Sequence, residues 1–166
     1  NGCGTKNTVV DKGSKKTNPS QSPKIKIGQK LQNSVGVRYA ITGKNTAECI
    51  GYVGKKNSVT IPPSLKYMGV AYQITSIKTK AFSGNKNLRS IVIPSSIRTI
   101  GSQAFFKCKN LKKITIKTPY LSKKTVGAKA FKGIHAKAKI KVPKKQKKAY
   151  QKLLKAKGAG KKVTIK

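Results

Sequence analysis

The side chains able to do chemistry are few. Asp11 and Glu48 are the only carboxylates, and His135 is the only histidine. General acid–base work on a glycosidic bond needs two positioned acids. Asp11 falls in a polar N-terminal stretch, so no pair is expected. Cys49 or Cys108 beside His135 would supply the parts of a thiolate nucleophile, yet both cysteines sit in apolar runs, where a free thiol behaves as a small buried hydrophobe. With Cys3 the cysteine count is odd, and no CxxC or other metal-type spacing occurs. Gly158-Ala-Gly160-Lys161-Lys162 has the flavour of a phosphate loop, but Lys155 stands where its first glycine belongs and Lys162 where Ser or Thr belongs. No catalytic, cofactor-binding or metal-ligating residue is expected, and no enzymatic activity.

The remaining chemistry is charge. Lysines and arginines number 39 against the two acids, a formal net charge of +37. Arg38, Arg89 and Arg98 are the only arginines. Base-edge reading favours the planar, bidentate guanidinium over the hydrated ammonium, so a specific nucleic-acid reader is not expected. A field of this size still attracts polyanions, with strong salt dependence. No run of about 20 apolar residues offers a membrane-spanning helix, and no signal-peptide core is visible, as in a processed chain.

The elements that carry this charge repeat. Ala81-Phe82, Ala104-Phe105 and Ala130-Phe131 lie 23 and 26 residues apart, and ten positions after each alanine comes an apolar run beginning at Ile91, Ile114 or Ile140. A period in the twenties reads as stacked supersecondary units. Ile77, Ile100 and Val126 precede each alanine by four positions, with Gly101 and Gly127 following two of them to permit a turn. The phenylalanines are expected in the core, and Cys108 shares an inward slot with Asn85 and Ile134. The third copy departs, with Lys137 in place of leucine and Ile134 and Ala138 sharing its packing. Val59-Thr-Ile-Pro62 is the first of the apolar runs that end at or near proline.

The flanks differ. Residues 1–24 are Pro/Ser/Lys-rich and aperiodic, a polar linker or leader, with Cys3 a tether residue or a lipid-modification site. Val35–Thr42 and Ala47–Gly54 read as a hairpin across the Gly43-Lys-Asn turn, and Tyr67–Ile74 as another. Residues 25–76 are taken as an N-terminal β cap and 77–143 as the repeats. In 144–166 a helix starting after Pro143 and ending at Gly158 is expected, with Ala149, Tyr150, Leu153 and Leu154 on one face. The strand Val163–Ile165 follows it in step. That basic helix serves as an end cap, or lies on an anionic membrane.

Ile97-x-x-Ile-Gly-x-x-Ala-Phe-x-x-Cys-x-x-Leu-x-x-Ile-x-Ile116 closely resembles the BspA-like (Treponema pallidum type) leucine-rich repeat family, over about residues 47–166. The ending from Ile140 through Tyr150 to Gly158 is similar to the terminal unit of such proteins from Gram-positive gut bacteria. Lys78 in a glycine slot, Asn85 in the cysteine slot and the third copy depart from the pattern. The resemblance implies a right-handed solenoid; with the flanks read above, the fold expected is an α/β, strand-dominated, short leucine-rich-repeat solenoid between an N-terminal β cap and a C-terminal helical cap. It further implies a secreted or cell-surface protein with adhesion to host or matrix components as its role; lipid attachment at Cys3 and wall association through the lysine charge are the candidate anchors. No catalytic residues transfer.

Two functions follow. One is an adhesion module that presents a basic column of Arg89, Lys112, Lys113 and Lys141 to a host or matrix protein or an anionic glycan. The other is a structural spacer held by diffuse lysine charge to an anionic cell-wall polymer. The residues leave the ligand and the oligomeric state open.

Overall fold

The computed structural model describes residues 9–11 and 25–166. Two sheets share one apolar core. The first contains β1 (Val9–Asp11), β2 (Lys30–Asn33), β3 (Val37–Ile41), β4 (Thr46–Tyr52), β6 (Ser64–Tyr67) and β7 (Val70–Ile77) in the order β1-β2-β3-β4-β7-β6, and β9 (Thr99–Ile100) also pairs with β7. β1 returns close to β6, so this sheet curls around its buried face. The second is wholly parallel, with β12 (Thr164–Ile165), β11 (Lys139–Lys141), β10 (Lys113–Ile116), β8 (Ser90–Ile93) and β5 (Ser58–Thr60) side by side.

Alternation makes the first sheet. Val37, Tyr39 and Ile41 point inward on β3 while Arg38 and Ala40 are half-buried. Asn33 closes the β2–β3 turn, its side-chain oxygen accepting from the Val35 and Val37 N–H groups while its amide donates to Tyr39 Oη at 3.2 Å. Met68 (φ 51°) and Gly69 (φ 77°) form a two-residue turn between β6 and β7. Paired positive φ is the backbone that a tight antiparallel hairpin requires.

Within the 1–24 stretch read as a linker or leader, Val9–Asp11 pairs antiparallel with β2. The role of Cys3 lies outside the described residues. The Val59 run, grouped with residues 25–76 by sequence, belongs to the parallel sheet, pairing Val59 with Ile91. Its β-branched residues fit a parallel strand buried on its inner face. Strand β7 in turn crosses the 76/77 boundary, since its Ser76 and Ile77 pair with Thr99 and Ile100 of the repeats.

Within the repeats, the chain makes one long strand, a bend, a short strand and a compact turn, then rejoins the next long strand. Ile77, Ile100 and Val126 form the short parallel stack. The Ala-Phe turns form another, in which Phe82 N–H donates to Ala104 O, Phe105 N–H to Ala130 O and Phe131 N–H to Lys157 O. Their rings stack at centroid distances of 5.2 and 5.4 Å. The residue before each alanine (Lys80, Gln103, Lys129) and the residue three after it (Gly84, Lys107, Gly133) all have positive φ. This pair of left-handed positions per turn leaves little mark in the sequence, because only two of the six are glycine.

Gly101 and Gly127 have a different reason from the turn expected of them. A Cβ on Gly101 would lie 2.6 Å from Thr79 Cα, and one on Gly127 2.5 Å from Ser102 Cα. Neighbouring coils approach too closely there for any side chain. Ser96 and Thr118 serve the same stacking, donating their hydroxyls to Ile74 O and Ile97 O of the preceding coil.

Helix α1 (Lys147–Ala156) follows a 3-10 turn over Lys144–Gln146 and ends near Gly158 (φ 107°). Its Lys157 carbonyl receives the Phe131 N–H as the next alanine carbonyl would, so the helix stands in for one Ala-Phe segment. Tyr150, Leu153 and Leu154 are buried, whereas Ala149 is exposed. Tyr150 Oη donates to Thr118 O at 2.7 Å and accepts from Leu121 N–H at 3.1 Å, which sets the helix rotation and leaves Ala149 on the rim.

Candidate functional site

The residues that suggested catalysis are held apart or buried. Asp11 and Glu48 stand on β1 and β4, with β2 and β3 between them in the sheet. Glu48 accepts a hydrogen bond from the Ser76 hydroxyl at 2.9 Å. Cys49 is fully buried, and burial pushes its thiol up to about 12. Burial likewise raises Cys108 to about 11, and its thiol donates to Phe82 O at 3.0 Å. Thiols of this kind stay protonated near neutrality, and the thiolate is the nucleophile. His135 Nδ1 accepts the Lys137 N–H at 3.0 Å, which shapes a turn. Gly158–Lys162 follows a helix and leads into a strand, the reverse of the strand-to-helix order in which a phosphate loop works. Among the described residues, no group of three or more His, Cys, Asp or Glu is placed to hold a metal ion.

The outer face of the parallel sheet carries the basic residues singled out from sequence. Alternation along each strand turns Ile91, Ile114, Ile140 and Ile165 inward and leaves two rows of outer positions. In-register pairing aligns Ser58, Ser90, Lys113, Lys139 and Thr164 as one row. Thr60, Val92, Thr115 and Lys141 form the other, which Lys166 continues, its N–H donating to Ile140 O while Val142 N–H donates to Lys166 O. Arg89 and Lys112 lie side by side at the bend that enters the sheet, where Lys112 N–H donates to Arg89 O at 2.9 Å.

Arg89, Lys112, Lys113 and Lys141 are all exposed, but they do not line up as a column. They occupy three successive levels along the strands. Two further residues complete the set: Lys139 directly beside Lys113, and Lys166 beside Lys141. Lys166 was not visible as a member because the in-step reading sets Val163 level with Ile140, whereas β12 pairs Ile165 with Ile140, two residues further on, which brings Lys166 level with Lys141. A depression of about 320 Å³ is lined by Lys112, Lys113, Lys139, Lys141 and Lys166 together with Ile114 and Thr115. Like charges on directly adjacent strand positions repel, and Asp11 and Glu48 both belong to the other sheet.

A larger depression of about 460 Å³ runs between Leu121 and α1, over Ala149, Tyr150, Leu153 and Ala156. It is apolar apart from Ser122 and the rim lysines Lys123 and Lys152. On the side of the repeats, Arg98 lies over the exposed Tyr120 ring at 4.4 Å. No helix among the described residues is long and apolar enough to cross a membrane.

This geometry of in-register strands and stacked Ala-Phe turns meets its match in sequence. The profile of the BspA type leucine rich repeat region matches residues 58–166 in six copies. The chain belongs to the BspA-type leucine-rich repeat family. The match begins at β5, in agreement with the pairing that puts Val59 in the repeat sheet. Solved structures share the fold. A leucine rich cell surface protein from Faecalibacterium prausnitzii superposes with a TM-score of 0.54 at 22% identity, over 70% of this chain and 37% of its own. A leucine-rich repeat protein from Bacteroides capillosus gives 0.55 at 18% identity, over 82% of this chain and 98% of its own. The chain thus spans little more than a third of the Faecalibacterium protein. No curated protein matches the sequence.

Proposed function

We propose that this BspA-type repeat chain is a non-enzymatic binding module of a secreted or cell-surface protein, and that it adheres to an anionic partner through the outer face of its parallel sheet. The surface location is supported by the description of the Faecalibacterium protein as a cell surface protein. We read the repeats as a short right-handed solenoid, with the curled N-terminal sheet and α1 covering its two ends, since the terminal units of such stacks shield the apolar coils.

The observation that carries the reading is the uneven charge of one sheet. Outer positions on β5 and β8 are Ser58, Thr60, Ser90 and Val92, whereas β10, β11 and the end of β12 supply Lys113, Lys139, Lys141 and Lys166. Solubility alone gives no reason to gather ammonium groups on neighbouring strands, where they repel. An anionic polymer or an acidic glycan relieves that repulsion on binding.

A second reading has its own support. Lysines also occupy the Ala-Phe turns (Lys80, Lys107, Lys129, Lys132) and the exposed side of α1, so charge is spread over several faces. A spacer held to anionic wall polymer by diffuse charge needs no more than that. The two readings part on a matched pair of variants. Lys113, Lys139, Lys141 and Lys166 changed to Gln are compared with Lys144, Lys147, Lys148 and Lys155 changed to Gln, at equal net charge. On a heparin column near physiological salt, the sheet variant is expected to elute well before the helix variant. Equal elution of the two would defeat the adhesion reading in favour of the spacer.

A further inference from the structure

The cations of the sheet face come as three side-by-side pairs, each displaced by one strand from the last. Arg89 and Lys112 sit at the entry to β8 and β10. Lys113 and Lys139 lie on β10 and β11, at the first outer level of the strands. Lys141 and Lys166 lie on β11 and at the end of β12, two residues further along. Among the paired strand positions, those on either side of this path are uncharged: Ser58, Thr60, Ser90 and Val92 towards β5, Thr115 beside Lys141, and Thr164 beside Lys139. Beyond the paired positions, exposed Lys117, Lys137 and Lys162 continue the three lysine-bearing strands. From Arg89 to Lys166 the path crosses three strand steps, about 14 Å, and advances three residues, about 10 Å, for a diagonal of roughly 17 Å.

From this arrangement we infer that the face takes one linear polyanion in extended form, laid obliquely from the β8 bend to the end of β12. The inference rests on the adhesion reading above and narrows it to a ligand shape. A single small anion needs one pair. A globular acidic protein surface has no cause to respect a diagonal bordered by hydroxyls. A chain carrying anions at regular intervals meets a cation pair at each step. Sulfated or carboxylated glycans and phosphodiester polymers share this chemistry.

The test uses the full chain and heparin-derived oligosaccharides of two, four, six and eight sugars, titrated calorimetrically at constant salt. Glycerol-phosphate oligomers of matched charge form the second arm. Affinity is expected to rise about tenfold or more from the disaccharide to the hexasaccharide, and then to level off. Arg89→Gln and Lys166→Gln, at opposite ends, should each weaken the hexasaccharide several-fold while leaving the disaccharide nearly unchanged. Thr60→Lys, which adds charge off the path, should bring no comparable gain for the hexasaccharide. Tighter binding in one arm assigns the polymer class.

The failures are distinct. If the four-lysine sheet variant and the helix variant lose affinity equally, the adhesion reading itself falls. If the sheet variant alone loses affinity but disaccharide and hexasaccharide bind alike, or Thr60→Lys gains as much as Lys166→Gln loses, the adhesion reading stands and the diagonal path is wrong.

Discussion

The curled N-terminal sheet and the parallel repeat sheet are built from similar residues but hold together in opposite ways. In the first, most neighbouring strands are joined by short connections, such as Asn33–Gly36 and Met68–Gly69, and pair antiparallel. Its contacts are local, and its polar links are side-chain bonds such as Asn33 to Tyr39. In the second, every strand pairs with one a full coil away, and no turn sets the register. What aligns the coils is stacking itself: the phenylalanine ladder, the Ala-Phe backbone bonds, and glycines where backbones nearly touch. The first kind of sheet can form hairpin by hairpin, whereas the second gains stability only as neighbours are added.

Removing the ladder should separate the two regions most sharply. Phe105→Ala deletes the central ring, which touches rings on both sides, and should cost about 3–5 kcal/mol. Denaturant melts followed by amide exchange should show loss of protection spreading through β8–β12 while β2–β4 keep theirs. Protection lost equally from both sheets would mean that they form one cooperative unit.

Glycine replacements give a smaller contrast. Gly101→Ala drives a methyl into the Thr79 backbone and should cost about 3 kcal/mol. Gly69→Ala meets open space and bears only the strain of φ 77°, about 1 kcal/mol. Equal shifts in the thermal midpoints of these variants would contradict the claim that coil spacing, rather than turn conformation, selects the repeat glycine.

The smallest effect is a gain. Lys107 holds φ 56° where Gly84 and Gly133 occupy the equivalent slot. Lys107→Gly removes a left-handed penalty and adds some unfolded-state entropy, for a net stabilisation of about 0.5 kcal/mol. A fall in thermal midpoint would show that the Lys107 ammonium, 5.3 Å from the Phe106 ring centre, matters more than the backbone does.

Much of this could be read from the chain because the repeat signal is local. Ala-Phe and the apolar run ten residues on mark the same two points of each coil, and the structure pairs Ile91, Ile114 and Ile140 in register and stacks Phe82, Phe105 and Phe131. The copy with Lys137 also packs as expected, on Ala138 and Ile134. What failed was local pattern without a partner. Ala149 has the right helical spacing for burial, but Tyr150 anchors the helix to Thr118 and turns Ala149 out. The Val59 run read as part of the N-terminal β region because the hairpin inserted after it stretches the spacing to Ala81.

By itself, then, the sequence determined the period, the inward positions of each coil, the C-terminal helix and an overwhelming positive charge, because each is written in residue types a few positions apart. Only the tertiary structure decided how those charges stand relative to one another. Arg89, Lys113 and Lys166 share no sequence spacing, since the coils between them differ in length. Parallel pairing cancels those differences strand by strand, and so sets Lys113 beside Lys139 and Lys141 beside Lys166.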